Sequence, residues 1–66
     1  MTTMPEELTS ELNRNRELLR AYEEIGPAGA FGAIMIQRDI KAGEKALEEH
    51  DAAAMVVALK ALRESK

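Results

Sequence analysis

The chain has 66 residues, of which 45% are hydrophobic and 32% are charged. This length predicts a single helical domain over residues 1–66 and leaves no room for a separate catalytic domain. The chain contains no cysteine, which excludes disulfides, thiolate metal sites and cysteine nucleophiles. Twelve acidic against nine basic side chains give a net charge of −3, a sign that disfavours nucleic-acid binding driven by phosphate contacts.

Apolar residues recur at helical spacing in three segments, which predicts helices over about 4–25, 29–49 and 52–64. None of these segments shows the alternation of apolar and polar residues that is typical of a strand. The predicted fold class is therefore all-α, an antiparallel helical bundle completed by self-association. The apolar stripe of the first helix comprises Leu8, Leu12, Leu18, Leu19, Tyr22 and Ile25.

Asn15 is a polar residue at the spacing of this apolar stripe. A buried amide at such a position can fix the pairing of two helices through its hydrogen bonds. We expect instead that Asn15 lies at the solvent-exposed edge of the stripe, where water satisfies the amide.

The residues that flank the predicted helices are typical caps. Thr3 lies three residues before a glutamate, which is the spacing of an N-cap with a reciprocal acid. Gly26 and Pro27 predict the end of the first helix, because glycine adopts the left-handed conformation and proline cannot extend the helix. Asp51 is the predicted N-cap of the third helix, after a tight turn that begins at Glu49.

Glycines lie on one narrow stripe of the second predicted helix, at Gly29, Gly32 and Gly43. A glycine inside an exposed helix costs about 1 kcal/mol relative to alanine, so we predict that a neighbouring helix packs closely against this stripe. Gly26 precedes the first two in a G-x-x-G-x-x-G series, and a helix start of this kind can hold an anion. The spacing matches neither the dinucleotide fingerprint nor the phosphate loop, which favours a helix stop followed by close packing.

An apolar surface is predicted at the start of the second helix, formed by Phe31, Ile34 and Met35 with Tyr22 of the first helix. With one Phe, one Tyr and no Trp, so short a chain forms a core that supplies only about 3–5 kcal/mol. We therefore predict a homodimer through these four residues. In the rival arrangement, a monomeric three-helix bundle, the first helix covers this surface, and the sequence leaves both arrangements open.

Side chains for catalysis are scarce. His50 is the only histidine, and Ser10 and Ser65 are the only serines, so no nucleophilic triad can be assembled within one chain. Glu44, Glu48 and His50 resemble a helical metal site but lack its Glu-x-x-His spacing, and only a dimer could bring two such sets together. We expect no enzyme activity, no cofactor and no metal, and keep the dimer-interface metal site as the weaker alternative.

A small nucleic-acid-associated regulator is a further alternative, in which Arg14, Arg16, Arg20 or Lys41 would contact phosphates. The neighbouring glutamates of the first helix make a charged, solvated face the simpler interpretation of these residues. The uncharged run over 25–37 is far shorter than the roughly 20 apolar residues that cross a bilayer. The segment over residues 1–8 is acidic and has no apolar core, which is not the pattern of a secretory signal. We therefore expect no membrane association and a cytoplasmic location.

The run from Asn15 to Met35 resembles the signature stretch of a family of small uncharacterised bacterial proteins found in phage and prophage genomes. The resemblance centres on Y-E-E-I-G-P-A-G-x-F-G-A, which stands here at Tyr22 to Ala33. It covers about a third of the chain. The resemblance implies a bacterial or phage origin, a cytoplasmic setting and a short accessory protein, and it implies no catalytic activity.

The function predicted from these observations is that of a non-enzymatic helical accessory or adaptor protein. It would act through protein–protein interaction, binding a second copy of itself and a host or phage protein.

Overall fold

The computed structural model describes residues 3–65 of the chain, which form three α-helices and one short 3₁₀ helix. Helix α1 spans Met4–Ile25, α2 spans Ala30–Glu48 and α3 spans Ala52–Glu64, and the 3₁₀ helix Gly26–Gly29 joins α1 to α2. Within residues 3–65 there is no strand. The predicted all-α fold of three helices is confirmed.

The helices run up, down and up. Tyr22 near the end of α1 lies against Gly32 near the start of α2, and Leu12 of α1 lies against Gly43 further along α2. Helices α1 and α2 are therefore antiparallel. A short turn then returns the chain as α3, which packs against both.

The start of α1 and its junction with α2 are set by local residues. The side chain of Thr3 accepts a hydrogen bond from the backbone amide of Glu6. Gly26 has a φ of +83° and donates its amide to the carbonyl of Glu23, which ends α1. Pro27 and Gly29 lie in the 3₁₀ helix, so α2 begins at Ala30 rather than at the predicted residue 29.

The turn from α2 to α3 is as tight as predicted. His50 adopts a φ of +52°, its amide donates to the Leu47 carbonyl, and the Asp51 amide donates to the Ala46 carbonyl. This pairing of hydrogen bonds is a Schellman motif, which ends α2 at Glu48. The Asp51 carboxylate then accepts from the amide of Ala54 at 3.1 Å and caps α3.

The core lies where all three helices meet, and it is built from aliphatic side chains. Leu8 of α1 and Leu62 of α3 are its most deeply buried members. Half-buried apolar side chains, including Leu18, Leu19, Tyr22 and Leu47, pack around its edge. The buried apolar residues are Leu8, Leu12, Ile36, Ile40, Ala46, Met55, Ala58, Leu59 and Leu62.

Asn15 is fully buried, so its predicted place at the exposed edge of the stripe is wrong. Its Nδ2 donates to the carbonyl of Glu11 at 2.8 Å and to the carbonyl of Leu62 at 3.2 Å. The Oδ1 atom has no hydrogen-bond partner among the described residues. The error arises because α3 packs over α1 at this level, and the width of a buried stripe depends on every helix that covers it.

The glycines of the α1–α2 side make room for large side chains of α1. A Cβ atom on Gly43 would lie 2.9 Å from Leu12 Cδ2 and 3.3 Å from Leu62 Cδ1. A Cβ atom on Gly32 would collide with the ring of Tyr22, and one on Gly29 with the backbone carbonyl of Tyr22. Side chains larger than hydrogen at these positions would therefore push α1 and α2 apart.

Among the helices of residues 3–65, none combines the length and the apolar character needed to cross a membrane.

Candidate interaction surface

Two large apolar side chains at the start of α2 are exposed to solvent. Phe31 is 78% exposed and Ile34 is 65% exposed. Ile34 is three positions after Phe31, so the two side chains lie on the same face of the helix. We call these two residues the Phe31–Ile34 patch. Ile25, at the end of α1, is also exposed, and the short 3₁₀ helix between Ile25 and Ala30 keeps it at the same end of the bundle.

Tyr22 and Met35, the other two predicted interface residues, are half-buried. The ring of Tyr22 packs against Gly32 and the edge of its own core. Met35 lines a cleft between α2 and the end of α3. The structure therefore separates the four residues: Phe31 and Ile34 point outward, whereas Tyr22 and Met35 contact their own chain.

A groove runs along the outer side of α2 and α3. Its wider part has a volume of about 460 Å³, and the neighbouring cleft that Met35 lines has a volume of about 360 Å³. Asp39 and Ala61 line both parts, so the two parts adjoin. We call the whole depression the α2–α3 groove. Small and branched apolar side chains form its floor, namely Ala42, Ala54, Val57, Ala58 and Ala61.

The α2–α3 groove is lined by both cations and carboxylates of α2 and by carboxylates on the α3 side. On α2, the cations are Arg38 and Lys45. On the α3 side, the charged residues are Asp51 before the first turn and Glu64 in the last turn. Asp39 of α2 lies between the banks, where its largely covered carboxylate is 3.8 Å from Arg38 Nε.

The residues considered for chemistry do not assemble into a site. Among residues 3–65, no three His, Asp or Glu side chains gather in a way that could hold a metal ion. Glu44 forms an ion pair with Arg16 at 2.8 Å, while Glu48 and His50 are exposed. Ser65 donates its hydroxyl to the carbonyl of Ala61.

Two of the four basic residues considered for phosphate binding are held by their own chain. Arg14 Nη2 donates to the carbonyls of Leu62 at 2.6 Å and Ser65 at 3.2 Å, where it caps the end of α3. Arg16 bonds to Asn13 and Glu44. Arg20 and Lys41 are exposed, but they lie on different helices.

Sequence reasoning missed the α2–α3 groove. A signal was present in α3, where Ala54, Ala58 and Ala61 recur at the spacing of one helical face. Small residues at this spacing indicate close packing or a shallow channel. Only the position of α2 shows that these alanines form the floor of a groove.

No protein-family model matches the chain, and neither a curated protein sequence nor a solved structure matches it.

Proposed function

We propose that this chain is a non-enzymatic helical protein that acts by binding other proteins, a second copy of itself included. The Phe31–Ile34 patch is the observation that carries the proposal. The resemblance of Tyr22–Ala33 to small bacterial and phage accessory proteins agrees with a role of this kind.

The placement of Phe31 has an energetic consequence. It is the single phenylalanine of the chain, yet the core is built without it. Burying a side chain of this size stabilises a protein by about 1.5–3 kcal/mol. That free energy is not realised within the chain, so it is available for binding a partner. Ile34 on the same face adds to it.

The charged residues give less support to the two alternatives. A nucleic-acid regulator needs free cations on one face, and the guanidinium groups of Arg14 and Arg16 already bind groups of their own chain. A dimer-interface metal site would have to compete with Arg16 for the carboxylate of Glu44. Protein binding is therefore the function that the described surface favours.

The test is a comparison of Phe31→Asp with Gln37→Asp, which places the same new charge at an exposed position of the same helix. Each variant is immobilised and used to capture proteins from a bacterial lysate, and its self-association is followed by sedimentation velocity. Circular dichroism confirms that both variants fold.

We expect Phe31→Asp to lose the captured proteins or the self-association that the unmodified chain shows, and Gln37→Asp to retain them. If Phe31→Asp keeps every interaction of the unmodified chain, the proposal is wrong.

A further inference from the structure

We infer that the α2–α3 groove binds a second copy of this chain, in a two-fold dimer that sets α2 of each copy against α3 of the other. This inference rests on the proposed function, because it assumes that the chain acts by binding protein. It goes further by naming the occupant of the groove and the pairs of residues that meet.

The small side chains that line the groove, alanines on its floor, allow the two copies to approach closely. Along α2 the surface extends from Phe31 to Glu49, a distance of about 27 Å at 1.5 Å per residue. Met35 lies one turn beyond Phe31 on the same helix and lines the groove, so the Phe31–Ile34 patch lies next to one end of the groove.

Each of two cations of α2 shares a part of the groove with a carboxylate of the α3 side. Arg38 of α2 and Glu64 of α3 line the same part of the groove, and Lys45 and Asp51 both line the other part. A two-fold axis parallel to the helices keeps each residue at its own level and exchanges the banks. Arg38 of one copy then meets Glu64 of the second copy, and Lys45 meets Asp51 in the same way. Because the interface is isologous, each pair occurs twice.

The α2 bank also carries two acids. Asp39 is already 3.8 Å from Arg38 within its own chain. Glu49 lies at the end of the groove beside Asp51, one helical turn from Lys45. The exchange of banks therefore brings Glu49 of the second copy towards Asp51 as well, with Lys45 of the second copy one turn away as the counter-charge.

The other simple two-fold arrangement is disfavoured by charge. An axis perpendicular to α2 would place α2 against α2 of the second copy. The middle of the exposed side of α2 carries Arg38, Lys41 and Lys45, all of them exposed. These cations would then face the same cations of the second copy, and complementary charge selects against such a contact.

The α3 side of the interface offers an unusually close control. Val57 is 70% exposed and lines the α2–α3 groove. Val56 is 52% exposed and lies with Lys60 and Arg63 on the other side of α3. The two valines are adjacent in sequence, yet only Val57 faces the proposed partner.

The first experiment is sedimentation equilibrium over a wide range of protein concentration on the unmodified chain, Val57→Asp and Val56→Asp. We expect the unmodified chain and Val56→Asp to dimerise, and Val57→Asp to be monomeric and folded by circular dichroism. Equal dimerisation of the two variants would overturn the inference.

The second experiment exchanges the charges of one proposed pair. Arg38→Glu and Glu64→Arg should each weaken the dimer by about tenfold, which corresponds to about 1.4 kcal/mol. The double variant should recover most of the affinity, because the pair is restored with its sign reversed. Failure of the double variant to recover affinity would contradict the proposed orientation.

These outcomes separate the inference from the proposed function. A chain that stays monomeric at the highest concentration, while still capturing other proteins in a manner that depends on Phe31, would overturn the inference and leave the proposed function intact. A dimer that responds to Phe31→Asp but not to Val57→Asp would likewise remove the groove from the interface. An unmodified chain that neither dimerises nor captures other proteins would contradict both the inference and the proposed function.

Discussion

Helix α2 packs against its two neighbours in different ways. Towards α1, its glycines receive large side chains: Leu12 packs at Gly43, and the ring of Tyr22 packs at Gly32. Towards the outer side of α3, the small residues of α2 and α3 face one another, and the α2–α3 groove remains open. Small residues at helical spacing therefore have two structural outcomes in one short chain.

The difference lies in the neighbouring helix. Where the neighbour supplies a leucine or a tyrosine, the space above a glycine becomes part of the core, and packing at that density stabilises the single chain. Where the neighbour supplies alanines, such as Ala54 and Ala61, the space is not filled by the chain itself. Side chains that fill the space between α1 and α2 stabilise the folded chain, whereas the open α2–α3 groove can accept a binding partner.

The largest loss of stability should come from removing a side chain that fills the space between α1 and α2. Leu12→Ala removes a fully buried side chain that packs at Gly43, and such changes cost about 2–5 kcal/mol. We expect the free energy of unfolding, measured with urea, to fall by about 3 kcal/mol.

Asn15→Ala is the matched control, one turn away and equally buried. It removes an acceptor that lacks a partner, and the Leu62 carbonyl keeps its hydrogen bond from Arg14. Removing an unsatisfied group offsets the loss, so this change should cost about 1 kcal/mol or less. Equal losses for the two variants would show that burial alone, and not the filling of the space between α1 and α2, sets the stability.

A smaller loss of stability should come from adding atoms on the side of α1, at Gly29 of the 3₁₀ helix, or in the open groove, at Ala42 of α2. A Cβ at Gly29 would meet the backbone carbonyl of Tyr22, which cannot move aside as a side chain can. Gly29→Ala should therefore destabilise the chain by about 2 kcal/mol, as overpacking does elsewhere.

Ala42→Leu adds more atoms but places them in the open groove. Surface changes of this kind usually stay within about 0.5 kcal/mol. Thermal unfolding at low protein concentration compares the two variants without a contribution from self-association. A larger loss of thermal stability for Ala42→Leu than for Gly29→Ala would contradict the distinction between the closely packed side and the open side.

The smallest change in the free energy of unfolding should come from the turn that joins α2 to α3 at the end of the open groove. His50 has a φ of +52°, a conformation that costs a residue other than glycine about 1–2 kcal/mol. His50→Gly relieves this strain but increases the entropy of the unfolded chain, so we expect a net gain of about 0.5 kcal/mol. A clear loss of stability in urea denaturation would indicate that the imidazole makes a contact that stabilises the turn.

Local chemistry explains why the helix boundaries could be predicted. Thr3, Gly26 and Asp51 act on backbone groups within a few residues of themselves, so their effect is visible in the sequence. The one-residue shift at the start of α2 has the same local origin, because Gly26–Gly29 forms a 3₁₀ helix. The apolar period likewise identified Leu8 and Leu12 as part of the face of α1 that enters the core.

Properties that depend on two or three helices together could not be predicted in this way. Phe31 and Tyr22 carry the same kind of signal in the sequence, yet Phe31 is exposed and Tyr22 is half-buried at the edge of the core. Gly32 accounts for part of the difference, because it leaves room for the ring of Tyr22. Asn15 is buried because α3 covers it, which its own helix does not reveal.

Caps and the apolar repeat act over a few residues, so the three helices and their boundaries follow from the amino-acid sequence. Only the packing of the helices against one another shows which glycines have a side chain of a neighbouring helix above them, that Asn15 is buried, and that Val57 lines a groove while Val56 does not. Those outcomes depend on the angle and distance between helices, which arise only when all three pack around one core.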